Sequence, residues 1–60
     1  KNTENYRFIS RYMTIYEAEE IFKIGVERGR RFEALLITEH GHADQKLIGI
    51  VTPIDIMKVD

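Results

Sequence analysis

The sequence predicts a small mixed α/β (α+β) fold in the order strand, helix, strand, strand, helix, and three segments predict it. Thr14-Ile15-Tyr16-Glu17 has capping-box spacing and opens a run in which apolar residues recur every three or four positions, as one face of a helix requires. Ala34-Leu35-Leu36-Ile37 is a short apolar run bounded by polar residues, as a buried strand is. Leu47 to Val51 is a second such run, and it ends abruptly in Thr52-Pro53-Ile54-Asp55, the composition of a strand-to-helix elbow.

Taken in order, Lys1 to Asn5 is a polar lead-in, and Tyr6-Arg7-Phe8-Ile9-Ser10 alternates as an edge strand does. The first helix starts at its Thr14 cap and carries an apolar stripe of Ile15, Ala18, Ile21, Phe22, Gly25 and Val26, ending near Gly29. Phe32 to Thr38 reads as the second strand; its leucines also suit a helix, but its short length, the Gly-containing segment after it and the second apolar run together favour a strand. Glu39 to Lys46 contains Gly41 and joins that strand to Leu47–Val51 as a hairpin. In the last helix, Pro53 to Val59, Thr52 caps and Pro53 takes the first position, where its missing N–H needs no partner. Asp55 brings a carboxylate to the first turn, and Ile54 and Met57 are offered to the core, with Ile56 a further candidate. The expected architecture is one module over residues 1–60, a three-stranded sheet with both helices on one face. The opposite sheet face is left needing cover.

At 60 residues the chain buries only about 60% of its unfolded surface. It has no cysteine, so disulfides and thiolate metal sites are excluded and pairing with a second module is the remaining means of stabilisation. The lack of cysteine fits a reducing compartment, and the expected location is cytoplasmic. Apolar and charged fractions of 43% and 32% are those of an ordinary globular domain, and no apolar stretch reaches the length of about 18 residues that a membrane span needs. Nine basic and ten acidic side chains give a net charge of −1, which offers no general attraction to nucleic acid or anionic lipid. The start at Lys1, without a Met or a signal-like segment, suggests a piece of a longer chain.

Among chemically capable residues, Thr52 and Asp55 stand where free backbone N–H groups collect, at a helix start that attracts anions and hydroxyl-bearing ligands. The same pair also serves as plain helix capping with no ligand at all. Arg28, Arg30 and Arg31 suit two-pronged contact with phosphate, and equally suit solvated positions favoured by a helix C-terminus. Glu39, His40, His42 and Asp44 contain metal-ligand types, but the Gly-containing segment reads first as a turn, so no metal is expected. No nucleophile is paired with a base, and the chain is read as a non-enzyme.

Gly49-Ile50-Val51-Thr52-Pro53-Ile54-Asp55 resembles the closing segment of a cystathionine-β-synthase (CBS) domain, whose pattern is apolar-Gly-apolar-apolar-Thr/Ser-x-x-Asp followed by an amphipathic helix. Thr14-Ile15-Tyr16-Glu17-Ala18 resembles that family's helix opening, and the element order resembles one CBS module over roughly residues 6 to 60. Leu35-Leu36-Ile37-Thr38 stands where the family often has Pro-Val-Val-Asp, and the hairpin is longer than usual. The resemblance implies a regulatory module that pairs with a second CBS module, from the same longer chain or an identical copy, in a Bateman-type unit. It also implies an adenosine-containing ligand between the modules, AMP, ADP, ATP or S-adenosylmethionine, with no catalytic cofactor. Thr52 would face phosphate and Asp55 the ribose hydroxyls, with Pro53 and Ile54 beside them. By position the adenine contacts would come from Tyr6, Arg7 and Phe8 and from Phe32, Glu33 and Ala34. The alternative is a structural dimerisation module with no ligand, in which Thr52 and Asp55 are only caps.

Overall fold

The computed structural model describes residues 5–57 as a three-stranded sheet with two helices. The elements run β1 (Tyr6–Ser10), α1 (Ile15–Glu27), β2 (Ala34–Thr38), β3 (Gly49–Val51) and α2 (Pro53–Met57). Spatial order is β1-β2-β3: β1 pairs parallel with β2 through the α1 crossover, and β3 returns antiparallel beside β2 as a hairpin. A parallel neighbour requires such a crossover, whereas an antiparallel one needs only a turn. The small α+β architecture expected from the sequence is therefore present.

Local chemistry sets the ends of α1. Thr14 Oγ1 accepts from the Glu17 N–H at 3.2 Å and Glu17 Oε1 accepts from the Thr14 N–H at 2.9 Å, so both arms of the capping box are made. At the other end Gly29 has φ of +78°, the Arg30 N–H donates to the Gly25 carbonyl at 2.6 Å and the Gly29 N–H to the Val26 carbonyl at 3.1 Å. This pair of bonds is a Schellman motif, and it needs a left-handed residue after the cap, which glycine supplies without strain.

The core lies between the helices and one sheet face. Ile9 and Leu35 from the strands meet Ala18 and Phe22 from α1 and Ile56 from α2, with Met13, Ile21, Phe32, Ile37 and Val51 packed around them. Within the predicted α1 stripe, Ala18, Phe22 and Gly25 are buried, while Ile15 and Val26 remain 36% and 55% exposed. In α2 the core contact falls to Ile56, and Ile54 is 64% exposed, which corrects the expectation for that residue. An elbow that begins helical geometry at Pro53 turns the next residue outward and brings the one near the end of the first turn inward. The Met57 side chain and residues 58–60 lie outside the described residues, and so does the expected helical extension to Val59.

Two strands are shorter than their apolar runs. Phe32 and Glu33 precede β2: Phe32 is drawn to the α1 side, and the Glu33 N–H donates to the Asn5 carbonyl at 2.7 Å. Leu47 and Ile48 precede β3 and are about half exposed, at 49% and 50%; the Ile48 N–H still reaches the Ile37 carbonyl at 2.7 Å. Hydrophobic run length overstates the strand here because a run records which residues are apolar and not which find a partner.

Candidate functional site

Register decides which predicted site residues meet. Arg7 pairs with Leu35 and Leu35 with Val51, so these three form one row across the sheet. The next row outward begins with Tyr6 and Ala34, and Thr52 leaves β3 at the same end. Tyr6, Arg7, Glu33, Ala34 and Thr52 thus gather at one end of the sheet, though they come from three separate segments. Side-chain alternation then separates them by face. Arg7 shares the helix-covered face with Ile9, Leu35 and Val51; Tyr6, Phe8 and Ala34 share the opposite face. Ala34 is buried, Phe8 half-buried and Arg7 and Glu33 exposed.

Thr52 and Asp55 form a closed pair. The Thr52 N–H donates to Asp55 Oδ2 at 3.0 Å, the Thr52 hydroxyl donates to the same oxygen at 3.1 Å, and the Asp55 N–H donates to Thr52 Oγ1 at 3.3 Å. This is a capping box with aspartate in the glutamate position, formed because Pro53 fixes the first helical φ between them. Pro53 lies in the groove between the helices with Phe22, Val26 and Ile56, and Ile54 projects to solvent.

Arg7 and Phe32 meet elsewhere than at Thr52. Both line a cleft of about 320 Å³ on the α1 side, together with Ile21, Ile24, Arg28 and Arg30. Phe32 is fixed there by Gly25, where a Cβ would stand 2.9 Å from its ring. By sequence Gly25 is only one member of an apolar stripe; the close approach of Phe32 is a tertiary fact with no local signal.

The hairpin segment is built as a turn. Gln45 Oε1 accepts from the His40 and His42 N–H groups at 2.9 and 3.2 Å, Gly41 has φ of +82°, and the Ser10 hydroxyl donates to the Glu39 carbonyl at 3.1 Å. No three His, Cys, Asp or Glu side chains among the described residues are grouped to hold a metal ion. No helix among the described residues is long and apolar enough to cross a membrane.

Comparison with family models, with curated proteins and with solved structures finds no match to this chain.

The opposite sheet face is chemically distinctive. Its positions are Tyr6, Phe8 and Ser10 in β1, Ala34, Leu36 and Thr38 in β2, and Ile50 in β3, and none is charged in a chain with 32% charged residues. Tyr6 is 45% and Ile50 55% exposed. Sequence alternation alone marks such a face only once the register is known, because a slip of one residue exchanges the faces.

Proposed function

We propose that this chain is a CBS-like regulatory module that pairs through its uncharged sheet face with a second such module and senses an adenosine-containing ligand at the end of the sheet where Thr52 emerges. The partner is a second module of the same longer chain or an identical copy. The observation that carries the reading is the register, which sets Arg7, Leu35 and Val51 in one row and so gathers the entry to β1, the start of β2 and the Thr52–Asp55 elbow at one end of the sheet. In a paired unit this end becomes a cleft between modules. Thr52 then offers a hydroxyl toward phosphate and Asp55 a carboxylate toward ribose hydroxyls, with Tyr6, Phe8 and Ala34 on the same side of the sheet as the approaching base. Binding regulates an attached effector only by as much as the ligand prefers one arrangement of the two modules.

A second reading, pairing without a ligand, is favoured by the closed Thr52–Asp55 box, since the Thr52 hydroxyl and its own N–H are already committed to Asp55 Oδ2. Isothermal titration with AMP, ADP, ATP and S-adenosylmethionine separates the two, run with the oligomeric state measured in the same buffer. The sensor reading expects saturable binding to the paired form and at least tenfold weaker binding in Asp55→Ala. A paired form that binds none of the four leaves the ligand-free module as the function.

A further inference from the structure

Outside the Thr52 elbow, the cleft on the α1 side combines features that ordinary surface does not bring together. Its floor is apolar, made by Ile21, Ile24 and the Phe32 ring, and its volume of about 320 Å³ falls at the small end of the range for small-molecule sites. Three guanidinium-bearing side chains line it from three segments: Arg7 from β1, Arg28 at the α1 C-cap, and Arg30 from the connection to β2. The helix dipole accounts for a cation at Arg28 but has no bearing on why Arg7, from a strand, lines the same cleft.

Among the described residues these cations form no ion pair. The ion pair found among the described residues is Arg11–Glu39, at the far end of β1, and it involves none of the three. Two carboxylates share the cleft lining, Glu17 and Glu20, but Glu17 Oε1 is held by the Thr14 N–H at 2.9 Å, and neither is within ion-pair distance of these arginines. The Arg30 guanidinium instead stands 5.6 Å from the Phe32 ring centroid, a cation–π arrangement that holds a planar donor fork against the apolar floor.

We propose that this cleft binds a small organic anion with an apolar body, the body resting on Ile21, Ile24 and Phe32 and the carboxylate or phosphate taken by Arg7, Arg28 and Arg30. Guanidinium groups form two-pronged, charge-assisted bonds to such oxyanions, and an apolar floor rewards a body that inorganic anions lack. The site is distinct from the Thr52 elbow: Thr52 and Asp55 do not line the cleft, and Arg7 and Phe32, which the resemblance would set against adenine, line it instead.

The test is a titration of the purified protein with phenyl phosphate, followed through backbone amide resonances, with inorganic phosphate and phenol as comparison probes. The expected result is saturable shifts at Gly25, Gly29 and Arg30, with both comparison probes at least tenfold weaker. Arg7→Gln/Arg28→Gln should weaken phenyl phosphate at least tenfold, and Arg30→Gln alone should weaken it measurably; all three side chains are exposed, and the amide spectrum itself reports whether each variant is folded. Asp55→Ala should leave this binding unchanged while weakening any adenosine binding at least tenfold, so the two sites fail separately. Absence of saturable shifts, inorganic phosphate binding as tightly as phenyl phosphate, or undiminished binding by the folded arginine variants would overturn the proposal.

Discussion

Glu39 joins the C-terminal ends of β1 and β2, which are neighbours at one end of the sheet and far apart in sequence. Its Oε2 accepts from the Tyr12 hydroxyl at 2.7 Å and its Oε1 from Arg11 Nη1 at 3.3 Å, while the Arg11 guanidinium lies 5.6 Å from the Tyr12 ring centroid and Tyr12 stacks at 6.3 Å on His40. The Tyr12 hydroxyl first, and Arg11 after it, hold the Glu39 carboxyl below its ordinary 4.5; the same hydrogen bond, with the Glu39 charge, raises Tyr12 above 10.0. A carboxylate whose folded value is depressed stabilises the fold above its unfolded value, and that contribution is lost as pH falls through the folded one. A phenol whose folded value is raised stabilises below its unfolded value and loses this as pH rises through the folded one. Urea midpoints of the wild type should therefore fall further between pH 7 and pH 3 than those of Tyr12→Phe, the two proteins converging at the acid end. Parallel declines would mean that the contact does not form in solution. Nothing local announces this cluster: Tyr12 reads as an approach to the Thr14 helix start, and Glu39 as part of a turn. Thr38 is likewise illegible, fully buried at 0% exposure with its hydroxyl unpartnered among the described residues.

Elements whose signals are local were legible from the sequence, and those whose limits depend on partners were not. Thr14-x-x-Glu17 and Thr52-x-x-Asp55 each close their own hydrogen-bonded box, so four residues carry the whole signal. Leu47–Ile48 and Phe32–Glu33 look like strand and fall outside it, because pairing is decided by residues elsewhere in the chain. Two glycines, Gly25 within α1 and Gly29 just past its C-cap, show the same contrast in energy. At Gly29 a Cβ meets nothing within 4 Å, so Gly29→Ala should cost about 1–2 kcal/mol, purely for the left-handed conformation. At Gly25 helix propensity alone would make alanine stabilising by about 1 kcal/mol. A Cβ there would stand 2.5 Å from the Arg30 carbonyl oxygen as well as against Phe32, and the carbonyl is backbone that cannot swing away. Gly25→Ala should therefore lose about 1–3 kcal/mol net, as overpacked sites do. Chemical denaturation measures both, and a stabilised Gly25→Ala would show that α1 and the segment after it do not approach so closely.

The molecule as a whole is 30 × 28 × 14 Å, with the core between the helices and one sheet face and with Tyr6 and Ile50 of the other face about half exposed. Three strands of at most five residues cover roughly 240 Å² at the usual strand spacing and rise, so the uncharged sheet positions form the centre of an interface and not the whole of the ~800 Å² per partner that a standard one buries. Their lack of charge matters for a twofold partner in particular: a self-complementary patch brings each residue near its own copy or a neighbour's, where any charge would meet its like. The edge strand β1 carries Arg7 on the helix side and keeps the outer side clear, which guards its free edge against unlimited strand addition without spoiling the face. Ile50, 55% exposed on β3, tests the arrangement with little demand on the fold. Ile50→Lys would set lysines near each other across a twofold axis and should weaken pairing at least tenfold in sedimentation measurements, with the urea midpoint nearly unchanged. Ile54→Lys on α2, 64% exposed on the helix side, should leave pairing intact. The reverse pattern would locate the interface on the helices, and the sheet end at Thr52 would then have no second module to complete it.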